Sequence, residues 1–113
     1  MKSYIIKKVE NRGELKNAEH VEINIPYFDT PDGITASAAV CRNEEELLVH
    51  LTTLEKNYRA VESGKLGSPC DDSCLEFFFS PVENDLRYFN IEFNSNGCMY
   101  LGFGEGLGKF VRI

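Results

Sequence analysis

The sequence predicts an all-β domain of antiparallel strands, and three observations carry that prediction. Apolar and polar residues alternate with a period of two over most hydrophobic stretches, helical spacing is scarce, and turn residues separate the stretches at short intervals. At 113 residues the chain suits one domain spanning 1–113, which should bury roughly two thirds of the surface its unfolded form exposes. Hydrophobic residues are 42% and charged residues 27% of the chain, a globular balance rather than a disordered one.

Residues 4–9 and 21–25 are expected as short strands, followed by a loop marked by Pro26 and Pro31-Asp32-Gly33. Residues 34–41 alternate apolar with small polar side chains. Asn43-Glu44-Glu45-Glu46 makes a charged turn, and Leu47–Leu54 alternates again through Val49 and Leu51, so the pair reads as a hairpin. A helix over residues 44–54 competes with this, because Leu47, Leu51 and Leu54 fall at helical spacing. Val49, Thr52 and Thr53 tip the balance to strand. Residues 58–69, with Gly64, Gly67 and Pro69, form a connection.

The most informative stretch lies beyond it. In residues 75–80, Leu75, Phe77 and Phe79 share one face while Glu76, Phe78 and Ser80 share the other. Residues 88–94 then send Phe89, Ile91 and Phe93 to the core and leave Tyr88, Asn90, Glu92 and Asn94 outside. Residues 98–103 bury Met99, Leu101 and Phe103. A two-residue Asn96-Gly97 turn would place these on the wrong face; a three-residue Ser95-Asn96-Gly97 loop with a left-handed Gly97 restores agreement. The same parity pairs Phe77 with Ile91, Phe79 with Phe89, and Glu76 with Glu92, whose Cβ atoms should lie about 4.5–5.5 Å apart. Facing carboxylates destabilise a bare sheet. Arg59, Arg87, a cation, a raised pKa or a ligand rich in hydroxyl donors is expected to offset them.

Charge and motifs exclude several functions. The net charge of −6, with no local Lys/Arg cluster, disfavours nucleic acid and anionic membranes as partners. The first residues hold too short an apolar run for a signal peptide or membrane span, so the expectation is a cytoplasmic chain as written, or a secreted one if a leader has been removed. Cys41, Cys70, Cys74 and Cys98 are expected mostly as free thiols packed like small hydrophobes. Cys70-x-x-x-Cys74 lacks the spacing of redox or zinc motifs, and His20 and His50 are far apart in sequence, with His50 expected to satisfy a strand-face hydrogen bond. Calcium at Asp71 and Asp72 competes with a plain strand-start turn at Asp72 and Ser73; no other cofactor is expected. The glycines from Gly102 to Gly108 miss both phosphate-loop spacings, so this run reads as a strand end or wide loop.

Asp72-Ser73-Cys74-Leu75-Glu76-Phe77-Phe78, then Tyr88-Phe89-Asn90-Ile91-Glu92-Phe93-Asn94 and Gly97, resemble the middle of the carbohydrate-binding module family 9-like sandwiches, related to the DOMON superfamily. The resemblance implies an antiparallel β-sandwich of jelly-roll type and a non-catalytic carbohydrate-binding function. It implies Glu76 as an acceptor for sugar hydroxyls and Asn90 and Asn94 on the same face. Phe78, Tyr88 and Tyr100 could offer apolar platforms to a pyranose ring, and Glu92 completes the set of candidate ligand contacts. Three departures stand out. The chain has no Trp for an aromatic clamp, with Pro69 or Cys70 near its place; Glu92 stands where binding members carry a basic residue; and the strands that normally follow are missing. An incomplete sandwich is the resulting expectation, with a homodimer or a strand-completing partner covering its open edges. Two other functions remain open. Glu76 and Glu92 fit the roughly 5–5.5 Å carboxyl spacing of a retaining glycosidase, and the same face could serve as a purely structural interaction surface.

Overall fold

The structure, a computed structural model, describes residues 3–25 and 33–113. The expected loop at Pro26, Pro31 and Asp32 lies outside the described residues. The predicted fold class holds: nearly all regular structure is β, in two four-stranded sheets, consistent with a β-sandwich. The chain divides into two compact units, Met1–Lys56 and Asn57–Ile113.

The first unit contains β1 (Lys7–Lys8), β2 (Val21–Glu22), β3 (Thr35–Arg42) and β4 (Leu47–Leu54). β3 and β4 pair antiparallel along their full length, from Thr35↔Leu54 to Arg42↔Leu47. The hairpin reading holds and the helical alternative for residues 44–54 does not. The β-branched residues here gain more from cross-strand packing than the leucine spacing offers a helix. Asn43 closes the turn, its Oδ1 accepting the Glu45 and Glu46 N–H groups at 2.9 and 2.8 Å. The other edge of β3 is shared by β2, antiparallel, and β1, parallel. That parallel pairing departs from the wholly antiparallel expectation.

Of the two predicted early strands, Lys7–Lys8 and Val21–Glu22 pair in the sheet, and a 3-10 turn at Arg12–Asn17 lies between them. Its signal is Asn11-Arg12-Gly13-Glu14: the Glu14 carboxylate accepts the Asn11 N–H at 3.0 Å and the Glu10 N–H at 2.7 Å. Small residues let the strands of this unit approach, with Ala39 and Cys41 fully buried.

The second unit is a four-stranded meander of β5 (Cys74–Phe79), β6 (Tyr88–Asn94), β7 (Met99–Gly104) and β8 (Phe110–Arg112). Its register matches the parity argument: Phe77↔Ile91, Phe79↔Phe89 and Glu76↔Glu92, then Phe93↔Met99 and Ile91↔Leu101. The Ser95-Asn96-Gly97 loop has Gly97 at φ 75°, and the Asn94 N–H donates to the Cys98 carbonyl at 3.2 Å. β8 was not foreseen. The glycine run ends β7 and turns the chain into it, with Gly104 packed so closely on Lys109 that any Cβ would run into the Lys109 carbonyl. Gly104→Ala should therefore destabilise the chain by about 2–3 kcal/mol, read as a lower urea midpoint with an unchanged slope.

The apolar face of this sheet carries a run of rings. Phe79 stacks on Phe89 at 5.1 Å, Phe89 meets Phe103 at 4.7 Å, and the Arg87 guanidinium lies 5.3 Å from the Phe103 centroid.

Candidate functional site

The polar face of the second sheet is a grid laid down by strand register. Its rows are Cys74 and Asn94; Glu76, Glu92 and Tyr100; Phe78, Asn90, Gly102 and Arg112; and Tyr88, Gly104 and Phe110. All seven candidate residues share this face, as alternation requires. Their exposure differs from expectation. Asn90, Glu92 and Asn94 are only 7%, 9% and 6% exposed, whereas Phe93 and Met99, assigned to the core, are 38% and 45% exposed. Glu76 and Phe78 are exposed, and Tyr88 and Tyr100 half-buried. The expectation that the whole polar set faces water therefore fails at β6.

The cause is the connection between Asn57 and Asp72, which is fastened along the Asn94 end of the face. The Asp72 side chain has no exposed surface. Its Oδ2 accepts the Val61 N–H at 2.9 Å, the Glu62 N–H at 2.8 Å and the Asn94 amide at 2.9 Å. Arg59 approaches Oδ1 at 3.2 Å. Burial by itself would raise the Asp72 pKa. The Glu62 N–H, the Asn94 amide, the Val61 N–H and the Arg59 charge outweigh it and hold the carboxyl below the ordinary Asp range. Arg112 fastens the same connection from β8, donating to the carbonyls of Lys65, Leu66 and Gly67 at 2.8–3.3 Å. Ser73 completes the strand start, its Oγ accepting the Arg59 N–H at 3.0 Å.

Asn94 is consumed by this construction. Its amide donates to Asp72 and to the Glu62 carbonyl, and its Oδ1 accepts the Asn96 and Cys98 N–H groups. Two donors and two lone pairs are its whole capacity. Asn90 differs. Its Nδ2 donates to Glu92 Oε1 at 2.9 Å, which fixes the amide's orientation, and its buried Oδ1 has no hydrogen-bond donor among the described residues.

Arginine does not supply the offset expected for the facing carboxylates. Arg59 pairs with Asp72 and Arg87 with Asp85. Two thiols stand beside them: Cys74 Sγ donates to Glu76 Oε1 at 3.2 Å, and Cys70 lies close enough to Glu92 for that charge to raise its pKa. The sequence reading expected the cysteines to be mostly packed free thiols. That holds for the buried Cys41 and Cys98 but not for the exposed Cys70 and half-buried Cys74. The missed signal was register: Cys74 lies on the polar face two residues before Glu76. Burial, then the Glu76 hydrogen bond and charge, push the Cys74 thiol up to about 12, and burial followed by the Glu92 charge raises Cys70. Cys74 should therefore alkylate on the order of 50- to 100-fold more slowly at pH 8 than a free thiol, the scarcity of thiolate outweighing its greater nucleophilicity. Mass-resolved iodoacetamide kinetics check this.

Tyr100 lies over Gly102, where a Cβ would fall 2.6 Å from its hydroxyl, with Arg112 5.1 Å from its ring centroid. Phe78, Tyr88 and Phe110 continue the aromatic border, with centroids 5.9 and 5.1 Å apart in succession. Where the resemblance implies an aromatic clamp, the buried Pro69 and the thiol of Cys70 stand. Among the described residues, no three His, Cys, Asp or Glu side chains gather as a metal would need, at Asp71 and Asp72 or elsewhere. A cavity of about 220 Å³ lies in the first unit, lined by Tyr4, Lys7, Glu14, Val40 and Cys41 among others, and shares no residue with the acidic row. His20 and His50, distant in sequence, meet in that unit.

No curated protein matches the chain. A solved structure described as "a putative carbohydrate-binding protein" from Bacteroides uniformis is similar, with a TM-score of 0.78 and 26% identity over 96% of this chain. The chain spans 55% of that protein's length. The sequence pattern of carbohydrate-binding family 9 matches residues 12–111, which takes in the acidic row, its aromatic border and the connection fastened beside them. The chain belongs to carbohydrate-binding family 9.

Proposed function

We propose that this chain is a carbohydrate-binding domain that holds a sugar on the open end of its polar sheet face and does not cleave it. The observation that carries the reading is the exposed Glu76 directly opposite the buried Glu92, beside the exposed ring of Phe78. Sugar hydroxyls are donors, and carboxylates accept them in charge-assisted hydrogen bonds stronger than neutral ones. Phe78 offers an apolar surface to the C–H face of a pyranose, and Tyr88 borders it.

Glu92 supports binding over cleavage. A retaining glycosidase needs both carboxyl groups free to reach the anomeric centre, yet Glu92 is buried and engaged by the Asn90 amide. Affinity electrophoresis in gels containing neutral polysaccharides tests the proposal. Retardation by at least one polysaccharide, with no release of reducing ends, is the expected result. Mobility unchanged across glucans, xylans, mannans and galactans removes the binding reading, and release of reducing sugar replaces it with a catalytic one.

A further inference from the structure

We propose that His20 and His50 form a two-histidine site for a divalent first-row transition-metal ion, of which Zn²⁺ is the probe, with water in the remaining coordination positions. His20 Nε2 and His50 Nδ1 face each other at 3.1 Å, with the rings nearly perpendicular at 87°. Two imidazole nitrogens at that separation can both reach one ion at Zn–N lengths of about 2.0–2.1 Å, subtending roughly 100° at the metal, near the tetrahedral angle.

The outer nitrogens are already held as a metal site requires. His20 Nδ1 lies 2.9 Å from the Ala18 carbonyl, which can only accept, so the Nδ1 of this ring carries its proton and Nε2 presents a lone pair. His50 Nε2 lies 3.4 Å from Thr52 Oγ1, a hydroxyl able to donate or accept. Ligating histidines habitually give their second ring N–H to such an oxygen, which fixes the tautomer and the ring orientation. Without metal, the His50 proton sits on Nδ1 and bridges the pair. On binding, an ion takes the place of that bridging proton, which moves to Nε2 and is accepted by Thr52.

Strand register supports the placement. His50 pairs with Ala39, whose small side chain leaves room for the rings, and Glu22 shares the adjacent row with Ser37 and Thr52, adding negative charge. No third His, Cys, Asp or Glu completes the set among the described residues, so both rings should be needed.

The test is calorimetric titration of the full chain with Zn²⁺ at pH 7.5, alongside His20→Asn and His50→Asn. One Zn²⁺ per chain is expected, weakened at least about tenfold by either substitution. Binding equal in all three proteins assigns the ion to the thiols and overturns the proposal, as does absence of binding by the parent chain. Should a variant fail to fold, imidazole ¹⁵N spectra of the parent chain decide. Zn²⁺ must shift His20 Nε2 and His50 Nδ1, and unchanged resonances overturn the site.

Discussion

Glu76→Ala should weaken retardation by polysaccharide about ten- to a hundredfold while leaving the melting temperature unchanged or slightly raised. The loss corresponds to one or two hydrogen bonds to a charged acceptor. The unchanged fold follows from position, since Glu76 is exposed on β5 and faces Glu92 across the strand pair. Removing one of two opposed carboxylates relieves repulsion and, among the described residues, breaks only the Cys74 thiol contact. Comparing Glu76→Gln with Glu76→Ala separates charge from shape: Gln keeps an acceptor but loses the charge-assisted part. A variant that folds and binds as the parent does would remove Glu76 from the site. The same variant discriminates the catalytic alternative, for which hydrolysis of an aryl glycoside by the parent chain must disappear with the carboxylate.

Asp72→Ala should be the most damaging single change outside the packed rings, lowering the melting temperature by on the order of 10 °C or more. It would leave the Val61 and Glu62 N–H groups and one Asn94 donor without their acceptor, and stranded buried donors cost more than an average hydrogen bond contributes. Asp72→Asn offers one carbonyl oxygen to the same donors but loses the charge facing Arg59, so an intermediate loss is expected. The folded pKa of Asp72 lies below its unfolded value. Its stabilising contribution is thus fully present above the unfolded value, about 3.9, and is lost as pH falls through the folded one. Glu46, held down to about 2 by the Arg12 and Asn43 hydrogen bonds, and Asp85, held down to about 2 by Arg87, add to the same acid-side loss. Urea midpoints measured from pH 5 to pH 2 should therefore fall less steeply in Asp72→Asn than in the parent. Equal slopes would show that the carboxylate's charge contributes nothing.

The second sheet was legible because alternation is a local property. Phe77, Phe79, Phe89 and Ile91 can lie on one face only if β5 and β6 pair in one register, and that register forces Glu76 opposite Glu92. The β7 register followed from the same parity, with Gly97 supplying the left-handed position that a three-residue loop needs. The early strands were less legible. β1 and β2 are two residues each, too short for periodicity to mark their bounds, and the turn between them is set by the reach of Glu14 to two backbone N–H groups. β8 was hidden because glycines that read as a loop make the close approach of Gly104 to Lys109 possible.

Alternation in the sequence by itself determined that Glu76, Phe78, Tyr88, Asn90, Glu92, Asn94 and Tyr100 would share one face, since strand periodicity depends only on neighbours along the chain. Which of them stay open to a ligand was decided by tertiary structure. Asp72, Asn94 and Arg112 fasten the 57–72 connection across one end of that face, burying Glu92 and Asn94 and leaving Glu76 and Phe78 exposed. The meeting of His20 with His50, and of Cys70 with Glu92, belongs to the same class of fact. Such contacts arise from loop closure over tens of residues, and no short-range pattern in the chain encodes them.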